Sequence, residues 1–87
     1  MERPTLVLYT KPNCPLCEEA KKLLEEIGAA KHFQLIEKDI TQDDALYEKY
    51  GLMIPVLEWQ GEIIQYGNFV KKSLIFCLNR VNSAING

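Results

Sequence analysis

The spacing of apolar positions changes several times along the chain, and each change marks an element. Leu6-Val7-Leu8-Tyr9 is a short unbroken apolar run inside Thr5 to Thr10. Its length suits a buried strand rather than a helix. From Pro15 to Ile27 the period switches. Leu16, Ala20, Leu23, Leu24 and Ile27 fall at helical spacing and form one apolar stripe. Glu18, Lys22 and Glu26 line the opposite face as i,i+4 pairs of alternating sign. Pro15 suits the first helical position, where a missing N–H matters little. Gly28 suits the left-handed residue that ends a helix.

The remaining elements are shorter. Phe33 to Ile40 reads as a second strand. Thr41 is placed to cap a short helix reaching Tyr50, with Asp43 and Asp44 in its first turn and Gly51 closing it. Val56 to Gln60 and Glu62 to Tyr66 predict a hairpin that turns near Gln60-Gly61. Asn68 is placed to cap a last helix, along which Val70, Leu74, Cys77, Leu78 and Val81 return to helical spacing. The tail from Asn82 to Gly87 is expected to fray. The order is β-α-β-α-β-β-α. Its first crossover joins neighbouring parallel strands and is expected to be right-handed. The closing hairpin supplies an antiparallel edge. The expectation is an α/β protein with a mixed four-stranded sheet flanked by helices, the minimal thioredoxin fold.

Composition narrows the partners. The 87 residues predict one domain, residues 1–87, with a small core. Hydrophobic residues make up 47% and the net charge is −2, so the chain has the material for a core and no excess of either sign. No Lys/Arg cluster offers a phosphate-tracking surface, and nucleic acid is not expected as a partner. Met1-Glu2-Arg3-Pro4 leads into an apolar run too short for a signal-peptide core or a membrane span. A cytoplasmic monomer with no membrane partner is expected.

Chemistry enters with the cysteines. There are three, an odd number that does not suit a secreted disulfide framework. Cys14-Pro15-Leu16-Cys17 places two thiols two residues apart, between a strand and the start of an amphipathic helix. A thiol at a helix start meets unpaired N–H groups and the positive end of the helix dipole, and both favour the nucleophilic thiolate. Cys14 is therefore the candidate attacking thiol. Lys11 adds positive charge nearby. Cys17 shares a face with Ala20, Leu24 and Ile27, so it points to the apolar side and is the candidate resolving thiol. Pro55 follows Ile54 at the start of a predicted strand, where proline is tolerated. A cis bond there would turn the Ile54 backbone toward the dithiol, ready to pair with a substrate strand. Cys77 lies on the apolar stripe of the last helix and reads as a small core residue. His32 stands alone in a loop.

Metal chemistry competes for the same thiols. A mononuclear site needs about four ligands at one point. Cys14, Cys17, His32 and Cys77 match that number only by count. The helix after Cys14 is about 20 Å long, and His32 lies beyond its far end. No metal site within one chain is expected. An iron–sulfur cluster using Cys14 and shared with a second chain stays open, as does a redox-inactive protein-binding role.

Leu8-Tyr9-Thr10-Lys11-Pro12-Asn13-Cys14-Pro15-Leu16-Cys17 resembles the opening strand and dithiol loop of the glutaredoxins. Ile54-Pro55-Val56-Leu57 is similar to their cis-proline segment. The resemblance covers nearly the whole chain. It implies a disulfide reductase linked to glutathione or to the thioredoxin system, with Cys14 as nucleophile, acting on protein or small-molecule disulfides. It implies no cofactor beyond the cysteines, with glutathione as a co-substrate. It also implies that Lys11 meets a glutathione carboxylate and that the Ile54 backbone pairs with the glutathione cysteinyl unit. The chain departs from the family at Tyr66-Gly67-Asn68-Phe69-Val70, where the glutaredoxins carry a Gly-Gly pair followed by Asp that holds the γ-glutamyl end.

Overall fold

The computed structural model describes residues 3–86; Met1, Glu2 and Gly87 lie outside the described residues. Strands β1 (Thr5–Thr10), β2 (Gln34–Asp39), β3 (Val56–Trp59) and β4 (Glu62–Tyr66) form one sheet in the order β2-β1-β3-β4. Helices α1 (Pro15–Glu26), α2 (Asp44–Tyr50) and α3 (Lys71–Asn86) complete the predicted order. β1 pairs β2 in parallel, with Thr5 opposite Gln34 and Thr10 opposite Asp39. β3 runs antiparallel to β1 and to β4, so the sheet is mixed. This is the thioredoxin fold. One consequence governs the rest. The ends of β1, β2 and β4 and the beginning of β3 all lie at one end of the sheet.

Alternation along the strands sorts side chains onto two faces. Leu6, Leu8 and Leu57 pack with Ala20 and Leu24 of α1 and with Leu74, Leu78 and Val81 of α3, and Phe33 and Phe69 close this core. On the opposite face Tyr9 and Val56 pack with Ile40 and Tyr50, under α2. Cys17, Ala20 and Leu24 are all buried, as the helical spacing predicts. Leu16 is not. It is exposed at the edge of the stripe, on the side it shares with the half-buried Leu23 and Ile27, whereas Cys17 in the same turn is buried.

The caps differ from expectation at two helices. Asp43, not Thr41, caps α2: its carboxylate accepts from the N–H groups of Ala45 at 2.9 Å and Leu46 at 3.3 Å. Thr41 belongs to a separate 3-10 turn, Ile40–Gln42. That turn is capped by Asp39, which accepts from the Thr41 N–H at 2.9 Å and the Thr41 hydroxyl at 2.6 Å. The hydroxyl and then the N–H of Thr41 hold the Asp39 carboxyl below its ordinary range. α3 begins at Lys71, and the Val70 carbonyl accepts its first bond, from Leu74 N–H at 2.9 Å. Asn68 therefore lies in the preceding loop. α3 also continues to Asn86 where fraying was expected, since no Gly or Pro interrupts residues 71–86.

The hairpin turns at Gln60 (φ 51°) and Gly61 (φ 81°), both left-handed, which matches the twist of the flanking strands. A register shift between Leu57 and Glu58 leaves Ile64 as an extra residue on β4. The Cys77 thiol lies 3.3 Å from the Ile64 carbonyl at this bulge. Cys77 is thus half-buried against β4 rather than fully in the core.

Candidate active site

Cys14 ends the loop after β1 and caps α1 with extended backbone (φ −116°, ψ 104°). Its carbonyl accepts from Glu18 N–H at 3.1 Å, and its Sγ accepts from Cys17 N–H at 3.2 Å. A helix-start N–H therefore points at this sulfur, where it stabilises negative charge. Pro15 occupies the first helical position, as expected. Cys14 and Cys17 are joined as a disulfide, with Cα atoms 5.2 Å apart. Cys14 is half-buried, while Cys17 is 1% exposed. The two sulfurs differ in access, so an incoming group reaches Cys14 first.

The second part of the site starts β3. Tyr9 pairs with Val56, so Ile54-Pro55 lies at the sheet end where β1 delivers the Cys14 loop. The Ile54–Pro55 bond is cis and Pro55 is fully buried. Gly67, left-handed at φ 75°, donates its N–H to both the Pro55 carbonyl at 2.8 Å and the Met53 carbonyl at 3.0 Å. A side chain at that backbone conformation would be strained. The Ile54 N–H is already engaged with the Tyr50 carbonyl at 3.1 Å. The Ile54 carbonyl accepts no hydrogen bond among the described residues. Lys11 is exposed in the same loop as Cys14.

A polar chain braces the start of α1. The buried Thr10 hydroxyl donates to Glu37 at 2.8 Å. Lys21 bridges Glu37 at 3.2 Å and Glu18 at 3.0 Å. Hydrogen bonds to Glu18 first and Glu37 second raise the Lys21 pKa. The bridge ties β1, β2 and α1 together next to the dithiol.

The geometry also contains a group that sequence reasoning missed. Tyr9 Oη donates to Glu58 Oε1 at 3.1 Å, and Tyr50 Oη donates to Glu58 Oε2 at 2.9 Å. The two rings lie 4.7 Å apart. Burial, with Glu58 beside it, pushes the Tyr9 phenol up to about 12. Burial and the bond to Glu58 raise Tyr50 as well. The signal was in the strand pattern: Glu58 has the parity of Val56 and so faces α2.

Cys14, Cys17, Lys11, Ile54 and Pro55 are gathered at one end of the sheet. His32 and Cys77 are not. His32 is exposed beyond the far end of α1, and Cys77 faces the β4 bulge. Among the described residues no group of three or more His, Cys, Asp or Glu side chains is arranged to hold a metal ion. No helix there is long and apolar enough to cross a membrane.

Comparison with known proteins agrees with this architecture. The model of a glutaredoxin-like domain (DUF836) matches residues 5–82. Glutaredoxin-C6 of Oryza sativa subsp. japonica is 37% identical over 57 residues, which is 66% of this chain and 45% of that protein. Methylamine utilization protein MauD of Methylorubrum extorquens is 34% identical over 44 residues, 51% of this chain and 22% of that protein. The chain thus spans less than half the length of both curated relatives. An X-ray structure of a structural-genomics target from X. campestris superposes with TM-score 0.74 at 30% identity, covering 86% of this chain and 96% of that one. A solution structure from Nitrosomonas europaea gives TM-score 0.72 at 25% identity, covering 90% and 93%.

Proposed function

The chain belongs to the glutaredoxin-like domain family, and from that premise we propose that it reduces disulfides through its Cys14–Cys17 pair. The observation that carries the proposal is the unequal dithiol. One sulfur is reachable and receives a helix-start N–H at 3.2 Å; its partner is 1% exposed behind it.

In the reduced protein, the Cys14 thiolate attacks one sulfur of a substrate R–S–S–R′. A bond forms between Cys14 Sγ and the sulfur on R, the substrate S–S bond breaks, and R′–S⁻ leaves and takes a proton from solvent. Cys17 then gives up its proton and attacks Cys14 Sγ, releasing R–S⁻. The substrate gains two electrons and two protons. The cysteine pair supplies both electrons, Cys17 supplies one proton and solvent, which took the Cys14 proton when the thiolate formed, supplies the other; the pair ends in the disulfide form seen in the structure. An external thiol such as glutathione, or a dithiol reductase, returns the pair to its reduced state. During attack the Ile54 carbonyl accepts a substrate N–H, and Lys11 attracts a substrate carboxylate. No cofactor beyond the cysteines is required.

Glutathione is expected to bind weakly. At the stretch where the glutaredoxins hold its γ-glutamyl end, Tyr66 and Val70 are exposed and Phe69 is buried in the core. No residue of this stretch carries the carboxylate that the family uses there. A lost charge-assisted contact is worth about 1.5–3 kcal/mol, roughly ten- to a hundredfold in affinity.

The test is turnover of a peptide disulfide with parallel glutathione–glutathione reductase and thioredoxin reductase systems. Cys14→Ser is expected to abolish turnover. Cys17→Ser is expected to accumulate a mixed disulfide visible by intact mass. Saturable turnover at low glutathione would remove the weak-binding part of the proposal. No turnover in either system, with a reducible Cys14–Cys17 pair, would remove the reductase itself.

A further inference from the structure

Resting on the reductase reading, we infer that Glu58 and Tyr50 are positioning residues, which hold Met53-Ile54-Pro55 in place for a substrate bound at Cys14. The path can be followed bond by bond. Glu58 is fixed in β3, between its pairings with Val7 and Ile63. Its Oε2 accepts from the Tyr50 phenol at 2.9 Å. Tyr50 is the last residue of α2, and its own carbonyl accepts from both Met53 N–H at 2.8 Å and Ile54 N–H at 3.1 Å. The Met53 carbonyl is then tied to Gly67 N–H at 3.0 Å. One residue, Tyr50, therefore joins the sheet through its side chain and suspends the segment before Pro55 through its backbone.

Tyr9 supplies an internal control. Its phenol makes the same kind of bond to the other oxygen of the same carboxylate, at 3.1 Å, and Tyr9 is buried as Tyr50 is. Its backbone, however, lies in β1 between Lys38 and Val56 and takes neither the Met53 nor the Ile54 N–H, both of which go to the Tyr50 carbonyl. A purely structural role for the carboxylate treats the two phenols alike. A positioning role separates them. The carboxylate suits this task because both oxygens are used at once, each by a phenol that stays protonated, so Tyr50 has one position in which the set is satisfied.

The experiment uses the full chain and its variants Tyr50→Phe, Tyr9→Phe and Glu58→Gln. Three experiments are run on each: the rate of Cys14 alkylation by iodoacetamide, which is too small to need the Ile54 backbone; steady-state kinetics, giving kcat and KM for a peptide disulfide with dithiothreitol as reductant; and amide hydrogen exchange at Met53 and Ile54 against Leu57. Tyr50→Phe and Glu58→Gln are expected to raise KM about three- to tenfold, the size of one net hydrogen bond. Alkylation and kcat should stay within about twofold, and the Met53 and Ile54 amides should exchange faster than Leu57. Tyr9→Phe should leave KM unchanged. Where Tyr50→Phe does not fold, the isosteric Glu58→Gln makes the same comparison against Tyr9→Phe. An equal rise of KM in Tyr9→Phe and Tyr50→Phe, or an unchanged KM in Tyr50→Phe with wild-type turnover intact, overturns positioning and leaves the reductase standing. Absence of turnover in the wild type overturns both.

Discussion

The two faces of the sheet are built from different chemistry. Under α1 and α3 the contacts are hydrocarbon: Leu6, Leu8, Leu24, Leu57, Leu74 and Leu78 have no polar atom to orient. Under α2 the buried set includes Tyr9 and Tyr50, and Glu58 takes a hydrogen bond from each. Hydrocarbon burial is large in free energy and tolerant in direction. Hydrogen bonds are modest in net free energy and strict in direction. The first face is therefore suited to stabilise the fold and the second to fix where one segment sits. The dithiol lies at the end of the sheet, where both demands meet: α1 brings Cys14 and Cys17 from the hydrocarbon face, and α2 leads into Ile54-Pro55 from the polar one.

The largest expected effect lies on the hydrocarbon face. Leu74 is fully buried in the centre of that core. Leu74→Ala removes buried methyl groups and leaves a cavity, which should lower stability by about 2–5 kcal/mol. For a domain of this size that is a large share of the total. Urea unfolding measures it. The rate of Cys14 alkylation in the folded fraction should not change, because Cys14 is set by the α1 start and not by α3. A loss of Cys14 reactivity greater than the loss of folded protein would break the division between faces.

Alkaline pH probes the polar face and should have the next largest effect. The Tyr9 phenol titrates at 10.0 ordinarily and at about 12 in the fold. Below pH 10 both folded and unfolded chains carry the proton, and this stabilising contribution is complete. Between pH 10 and 12 the unfolded chain releases the proton while the folded chain keeps it, so stability falls as pH rises. The loss by pH 12 should reach about 2 kcal/mol, since a tenfold difference in proton affinity between the folded and unfolded chains corresponds to about 1.4 kcal/mol. Urea midpoints collected at steps from pH 9 to pH 12 would show it. The double variant Tyr9→Phe/Tyr50→Phe should flatten the decline and leave the part due to Lys21, whose pKa is raised by its bonds to Glu18 and Glu37. An equally steep decline in the double variant would mean that the polar face contributes nothing over this range.

What could be read in the sequence follows the same division. The hydrocarbon face was legible because it repeats: Ala20, Leu24 and Ile27, then Leu74, Leu78 and Val81, each declare a helix period without reference to anything distant. The dithiol was legible because Cys14, Pro15 and Cys17 are neighbours on a helix start. Caps were less so. Thr41 and Asp43 both offer an oxygen before the same helix, and only the intervening 3-10 turn decides between them. Leu16 fits the α1 stripe by spacing, but spacing does not say how wide a strip of the helix is covered, and Leu16 lies at its edge. The Tyr9–Glu58–Tyr50 set was hidden because its members come from β1, β3 and α2, and only the fold brings them together. Its single local trace is a carboxylate at a strand position with inward parity.

The smallest expected effect concerns the helix that delivers Tyr50. α2 has seven residues, too few to hold a helix by backbone bonding alone. It is pinned at its end by the Tyr50 phenol and at its start by Asp43, whose Oδ1 takes the N–H groups of Ala45 and Leu46. Asp43→Ala should lower stability by about 1 kcal/mol, and Asp43→Asn, which keeps an accepting oxygen, by much less. Urea midpoints of the two variants measure the difference. The two ends of α2 should also differ in kind. The cap governs how often the helix is formed, whereas Tyr50 governs where its last carbonyl stands once it is formed. Asp43→Ala should therefore leave KM for a peptide disulfide near the wild-type value under conditions where the protein stays folded. A KM shift as large as that of Tyr50→Phe would show that the integrity of α2 as a whole, rather than the bond between Tyr50 and Glu58, sets the position of Ile54.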